Sequence, residues 1–225
     1  MTDLQGFPRP SVAVDVAVLS VVADDEGADR LSVLLHRRST GAEHGKWSLP
    51  GSFLRERERL ADAVQRTLLD KCGISGLTPR QLLVLDDPGR DDRGWVLSVA
   101  HLDVVPVADA PSLFSRADLR WAPIRGAAAV VPGQRRLPFD HDEIVAQAVS
   151  RFRADHAEVP DPYRLLEGPF TVRELRHLHE AVLGEPLQKD TFRRAMLPHL
   201  VATKSTDSGS VGRPVGRPAR RYRRR

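Results

Sequence analysis

The sequence predicts an α+β chain of two modules, with strands around one early and one late helix first and a small helical module with a basic hairpin after it. Three observations carry that prediction. Short Val- and Leu-rich runs alternate with polar turns through residues 1–155. Two stretches within that region repeat their apolar residues at spacings of three and four, the helical period. Beyond residue 157 the character changes to two short helical patterns and an arginine run. Charge divides at the same place. The 225 residues carry 34 basic and 30 acidic side chains, a formal +4, but residues 156–225 hold 14 basic and 8 acidic, or +6, leaving −2 on residues 1–155.

Taken in order, Val12–Ala23 (VAVDVAVLSVVA) and Leu31–Arg37 (LSVLLHR) read as buried strands separated by the polar turn DDEGAD. After the loop GAEHGKWSLPGS comes a helix, roughly Arg57 to Cys72. Leu60, Ala61, Val64, Leu68, Leu69 and Cys72 form its apolar stripe, and Gly73 is its stop. Gln81–Leu85 and Trp95–Val105 read as strands flanking DDPGRDDRG. Asp140 is expected to cap a further helix with Glu143 three residues on, and Ile144, Val145, Ala148, Val149 and Phe152 form its inner stripe. The segment AEVPDP (157–162) is a linker or a sharp turn. Thr171–Glu174 is a capping box opening a helix with Leu175, Leu178 and Val182 inward, ended by Gly184. A short turn leads to a second helix, roughly Lys189–His199, with Phe192 and Met196 inward. An apolar run (Leu200–Thr203), a Ser/Gly-rich tip and GRPVGRPARRYRRR close the chain. Helix, tight turn, helix and basic hairpin is the layout of a winged helix-turn-helix. The modules are therefore set at 1–157 and 158–225, the second ending in an Arg-rich tail (212–225).

Several classes are excluded. No run approaches the roughly 18 apolar residues of a membrane span. The opening MTDLQGFPRPS lacks the basic and apolar regions of a secretory signal. A single cysteine, Cys72, excludes a disulfide framework or a cysteine zinc cluster and points to a reducing cytoplasm. His177 and His179 are two apart and face different sides of one helix, and His141 lies in a helix-opening turn; none has ligand spacing. The seven arginines of 212–225 without an acid are either a solubilising end or a contact for a polyanion.

The segment Trp47–Ile74, WSLPGSFLRERERLADAVQRTLLDKCGI, resembles the Nudix signature Gly-x5-Glu-x7-Arg-Glu-U-x-Glu-Glu-x-Gly-U, where U is aliphatic. Anchoring on Gly73-Ile74 puts Ser52 at the first glycine, Glu58 at the first glutamate and Arg66 at the arginine. Thr67 then stands at the next glutamate, and Asp70 and Lys71 at the glutamate pair. Positions 67, 70 and 71 share one helix face. In the active enzymes that face is a carboxylate cluster holding Mg²⁺ against a pyrophosphate, and hard cations need several oxygen ligands. Here it presents a hydroxyl, a shorter carboxylate and a positive charge. Trp121–Phe139 adds no acid as a general base. The expectation is no catalytic residues, no metal and no required cofactor, with residual hydrolysis left open. Binding can outlive the metal cluster. Arg37, Arg38 and Lys46 could meet phosphates, Trp47 could stack on a base or fill the core, and Ser52, Glu58 and Arg90 complete the candidate ligand set. Arg90 and its neighbour Arg93 read equally well as solvated turn residues.

Read together, the Nudix-like module, DDPGRDDRGWVLSVAHL, LPFDHDEIVAQA and PFTVRELRHLHEAVLGEPLQKDTFRRAML resemble the bacterial Nudix-related transcriptional regulators of NAD metabolism. That resemblance implies an α/β/α sandwich followed by a winged helix, assembled as a homodimer. It implies a cytoplasmic repressor that binds palindromic double-stranded operator DNA near NAD biosynthesis or salvage genes and responds to ADP-ribose or a related nucleotide. On the second helix Lys189, Thr191, Arg193 and Arg194 avoid the inward stripe and could read bases or phosphates. Thr171 and Arg173 would suit backbone contacts, as would Arg176, for which a solvated face is an equal reading. Arg213, Arg217, Arg220 and Arg221 in the tail could reach a narrow minor groove. The 140–157 helix, lying between the modules, is the candidate conduit. The alternatives are a Mg-dependent hydrolase of ADP-ribose-type substrates with a basic accessory domain, using Glu58 and Asp70, and an RNA-binding protein resting on the tail alone.

Overall fold

The computed structural model describes residues 6–24, 26–106, 108–109, 116–206 and 219–225. Its first module is built around β1 (Ser11–Ala23), whose near-continuous apolar run suits a strand buried on both faces. Val14, Val16 and Val18 point to one side, where they meet Ala63, Val64, Leu68 and Cys72 of α1 (Leu60–Cys72). Ala17, Leu19 and Val21 point to the other, against Ile144, Val145, Ala148 and Phe152 of α2 (His141–Glu158). This is the expected α/β/α sandwich. β1 pairs antiparallel with β2 (Asp29–Arg37) and parallel with β6 (Val96–Val104). The described residues form an eight-stranded sheet, with β5 (Arg80–Leu85) on β6, and β7 (Leu119–Arg125) on β2 followed by β8 (Ala128–Ala129). The short β3 (Trp47–Ser48) pairs β2, and β4 (Gly51–Phe53) pairs β1.

Local chemistry accounts for the helix ends, with two departures from expectation. α1 starts at Leu60 rather than near Arg57, because Arg57 is left-handed (φ 60°) and the Glu58 carboxylate folds back onto the Arg55 N–H. It ends as expected, Gly73 taking φ 71° with the N–H groups of Gly73 and Ile74 closing onto Leu69 and Leu68. Asp140 stands at the N-cap of α2 but makes no side-chain cap bond, since Arg90 holds its carboxylate at 2.6 Å through both Nε and Nη2. A charged, bidentate bond outcompetes a neutral N–H for the same oxygens. Cys72 is buried, and burial pushes its thiol up to about 12, which leaves it an inert core residue.

The second module follows a tight turn. Asp161 in that turn is buried and accepts the Leu165 and Leu166 N–H groups at 2.9 and 3.0 Å. β9 (Phe170–Thr171) leads into α3 (Val172–Leu183), opened by the expected capping box of Thr171 and Glu174. α4 (Lys189–Met196) follows, then a 3₁₀ turn, β10 (Leu200–Thr206) and β11 (Arg220–Arg224), with sheet order β10-β11-β9. Phe170, Leu175, Phe192, Met196 and Leu200 form its core. The end of the arginine run is thus a paired strand rather than a free tail. Arg224 ion-pairs with Asp161, donates to the Leu166 carbonyl at 2.6 Å and lies 5.4 Å from the Phe170 ring centre. Arg213 and Arg217 lie outside the described residues.

The modules share packing. Leu178 and Val182 of α3 join the core formed by β1, β2 and α2. Beside them runs a column of rings from α2 into α4: Phe152 to His156 at 4.4 Å, His156 to His179 at 5.5 Å and His179 to Phe192 at 5.0 Å. His156 Nδ1 donates to the Phe152 carbonyl at 2.8 Å, and Nε2 is buried with no hydrogen-bond partner among the described residues. Burial pushes this imidazole down to about 4. The folded chain therefore refuses a proton that the unfolded chain accepts at 6.5. Stability contributed by neutral His156 is complete above pH 6.5 and lost as pH falls towards 4, by about 3 kcal/mol. Urea unfolding across that window should show the loss, and His156→Phe should flatten the part of the slope that His156 supplies.

Candidate functional site

A cavity of about 330 Å³ opens beside β1 and β4, between the last turn of α1 and the start of α2. Its floor is Asp15, a carboxylate 6% exposed inside the apolar strand. Ser98 on β6 donates to it at 2.6 Å, His141 Nε2 approaches at 3.3 Å and Arg90 at 3.9 Å. His141 Nδ1 accepts the Leu49 N–H at 3.0 Å, so the ring proton sits on Nε2 and points at Asp15. Burial alone would raise the Asp15 pKa; His141, Ser98 and Arg90 together outweigh it and hold the carboxyl below its ordinary value. Gly51 lies opposite Asp15 in register, and a Cβ there would stand 1.9 Å from Oδ1. Only glycine lets β4 pass that carboxylate.

The walls are cationic. Lys71, from the last turn of α1, donates to the Gly51 carbonyl. Arg93 is fixed on Asp91 at 2.8 and 2.6 Å, and its guanidinium lies 5.5 Å from the Phe53 ring centre and 5.3 Å from that of Phe139. Arg38 covers Phe139 at 5.2 Å while its Nε donates to the Ala42 carbonyl at 2.7 Å. Phe139 itself is held at φ 56°, a strained conformation for a non-glycine residue of the kind that clusters at ligand clamps. Paired arginines and two aromatic faces can hold a phosphate and a flat base together.

Of the expected ligand residues, Arg38, Ser52 and Arg90 line this cavity, and Arg37, Lys46, Trp47 and Glu58 do not. Arg37 donates to the Gly45 carbonyl at 3.2 Å, and Lys46 ion-pairs with Glu43. Trp47 packs against the main core under Arg120, with its backbone N–H and carbonyl both held by Gln134. Glu58 is bound by Arg66 at 2.7 and 2.8 Å, which holds its carboxyl down at about 2. Thr67 donates to the Ala63 carbonyl and receives the Ser52 hydroxyl, both at 2.6 Å, and Asp70 is exposed on α1 away from the cavity. Sequence reasoning missed Asp15, Phe139 and His141. A lone acid inside a valine-rich strand was the available signal for Asp15; the other two acquire their roles only when α2 packs against β1.

A second, wider cleft of about 540 Å³ lies between α3, α4 and β11. Arg173, Arg176, Lys189, Arg193 and Arg220 line it with Tyr222 and the Thr171 cap. Arg176 is partly neutralised by Glu180, whereas Arg173, Lys189, Arg193 and Arg220 make no ion pair among the described residues. Thr191 and Arg194 are exposed on α4 outside the cleft. Arg221 turns away to the Pro169 carbonyl at 2.6 Å.

Comparisons with known proteins divide the chain in the same way. A Nudix domain model matches residues 13–147, and a model described as the NrtR DNA-binding winged helix domain matches residues 162–223. The chain is 30% identical over 220 residues to an ADPR responsive transcriptional repressor of Acinetobacter baylyi, covering 96% of this chain and 83% of that one. It resembles Shewanella oneidensis NrtR in complex with a 27mer DNA, with TM-score 0.74 and 30% identity over 95% of this chain and 93% of that one. The Nudix domain of the same protein with ADP ribose matches at TM-score 0.51 and 29% identity, over 67% of this chain and 93% of the other.

The buried Arg90–Asp140 pair closes the back of the cavity, with Arg90 5% and Asp140 17% exposed. Arg90→Met strands Asp140 and should lower stability by about 3–5 kcal/mol, whereas Arg90→Met with Asp140→Leu should recover most of that loss. A double-mutant cycle by urea denaturation measures both.

Proposed function

The chain belongs to the NrtR-type Nudix-related transcriptional regulators, and from that premise we propose that it is an ADP-ribose-responsive repressor acting as a homodimer on palindromic operators of NAD biosynthesis or salvage genes. The single observation that carries this reading is the way one chain uses its cations. In the first module they surround a cavity with aromatic faces; in the second, all but Arg176 of those lining the wide cleft make no ion pair among the described residues, along two helices and a wing. The division is drawn after Ala157, one residue before α2 ends and the turn towards α3 begins. The cavity fits a nucleoside diphosphate, with the diphosphate among Arg38, Lys71 and Arg93 and the base against Phe53 or Phe139. α4 enters the major groove with Lys189 and Arg193 foremost, while Arg173 and Arg220 meet phosphates on either side. Two copies related by a two-fold axis place two such helices on two half-sites.

Hydrolysis is not the proposed activity. The cavity's carboxylates are already held, Asp15 by Ser98 and His141 and Asp91 by Arg93, and Lys71 stands where a catalytic carboxylate would be. A regulator, by contrast, needs the cavity linked to the DNA-reading helix. α2 supplies the link: His141 at its start lines the cavity and Asp140 before it holds the lining Arg90, while Phe152 and His156 near its end continue as a column of rings into His179 and Phe192. Ligand releases DNA when it binds the DNA-incompetent arrangement more tightly than the competent one.

The test is fluorescence anisotropy on DNA selected from a random pool by the full-length protein. A palindromic site should emerge, ADP-ribose should weaken its binding, and Arg193→Ala should weaken it about ten-fold or more with a salt slope smaller by about one. Selection of no preferred sequence, or DNA affinity indifferent to ADP-ribose, would remove the proposal.

A further inference from the structure

The Nudix fold implies a divalent metal at this cavity, and the residues present do not fit one. A hard cation needs several oxygen ligands not already engaged. Of the positions aligned with the family's carboxylates, Glu58 is locked by Arg66, Thr67 spends its hydroxyl on Ala63 and Ser52, Asp70 is outside the cavity, and Lys71 is itself a cation. Among the described residues no group of three or more His, Cys, Asp or Glu side chains could hold a metal ion. The Gly51 carbonyl at the cavity wall is already taken, by the ammonium of Lys71.

We propose that Lys71 is a resident cation in place of the metal, and that with Arg38 it clamps the effector's diphosphate so that binding needs no divalent ion. This rests on the effector assignment above and specifies how that site works. The charge pattern supports it. Arg93 is neutralised by Asp91 and Arg90 by Asp140, whereas Arg38 and Lys71 form no ion pair among the described residues. Those two positive charges match a doubly charged diphosphate. Lys71 is also well seated for a fixed ammonium, because the last turn of α1 directs partial negative charge at it. Arg38 is braced through Nε, which leaves the other end of its guanidinium for a phosphate oxygen. Burial, followed by the nearby Arg38, lowers the Lys71 pKa; burial, followed by Arg93, lowers that of Arg38. Cations held under that strain gain more from an anion than solvated ones do.

Titration calorimetry of the full-length protein with ADP-ribose tests the clamp, first with EDTA and then with millimolar Mg²⁺. The expected Kd is the same in both buffers within about two-fold. Lys71→Met, its fold checked by thermal melting, should bind about ten-fold or more weakly in both, the loss of one charge-assisted contact. Wild-type binding at least ten-fold tighter with Mg²⁺, or a folded Lys71→Met that binds as wild type, would overturn the clamp while leaving the effector assignment standing. No binding in either buffer would overturn the assignment and the clamp with it.

Discussion

Asp15 is a carboxylate removed from water inside a strand of valines, and much of the first module is arranged by that fact. A buried charge is tolerated only when its oxygens are bonded and a counter-charge is near. Four separate pieces of chain meet the demand: Ser98 from β6, His141 from the start of α2, Arg90 from the loop before β6, and Gly51 of β4, which gives room by having no side chain. Each of these then fixes something else. His141 takes the Leu49 N–H, which holds the link between β3 and β4, and Arg90 takes Asp140, which sets the entry of α2. The cavity is the space around this cluster, so its shape is a consequence of how one acid is satisfied.

Features set by short-range physics were legible in the sequence. The valine run of β1, the Gly73 stop, the Thr171–Glu174 capping box and the Phe192/Met196 stripe all stand where pattern places them; of the α1 stripe Val64, Leu68 and Cys72 are buried, while Ala61 and Leu69 are exposed and Ala63 and Thr67 turn inward instead. What was not legible depends on partners far along the chain. Asp140 looks like a helix cap until Arg90, 50 residues away, arrives with two charged donors. Arg37 and Arg38 are indistinguishable as letters, yet the period of a strand and the turn after it send only the second into the cavity. An arginine run reads as a solvated tail because charge repels charge. In the folded chain Arg224 instead finds Asp161 and the Phe170 ring, and backbone pairing with β9 and β10 does the rest.

The same residue type therefore carries two kinds of work. Several arginines of the first module are held by aspartates, among them Arg90 by Asp140, Arg93 by Asp91 and Arg116 by Asp118, and their fixed planes shape surfaces. Those of α3, α4 and the wing that face the wide cleft, Arg176 apart, make no ion pair among the described residues. A formal +4 averages over a module that spends its positive charge internally and one that presents it. The distinction matters for specificity as well as affinity, because unpaired surface cations bind any phosphate chain and lose strength with salt. On the proposed reading, selectivity for one DNA sequence comes from the side chains of α4 set against base edges.

For a nucleotide in the cavity to alter those side chains, the two arrangements of the chain must differ in free energy by an amount that the ligand can supply. A flexible linker between modules would dissipate any such bias. Here the connection is stiff: α2 is 18 residues, about 27 Å of continuous helix, its first turn is tied to the cavity floor, and its last turn is wedged by rings against α3 and α4. Leu178 and Val182 are buried in the sheet's own core, so α3 cannot shift without disturbing β2. Packed interiors move between discrete arrangements rather than bending smoothly. On the proposed reading, a change of bonding at His141 or Asp140 is felt at Phe192 as repacking of the His156–His179 contact. That contact is edge-to-face, with 77° between the ring planes, and His156 Nε2 within it has no hydrogen-bond partner among the described residues.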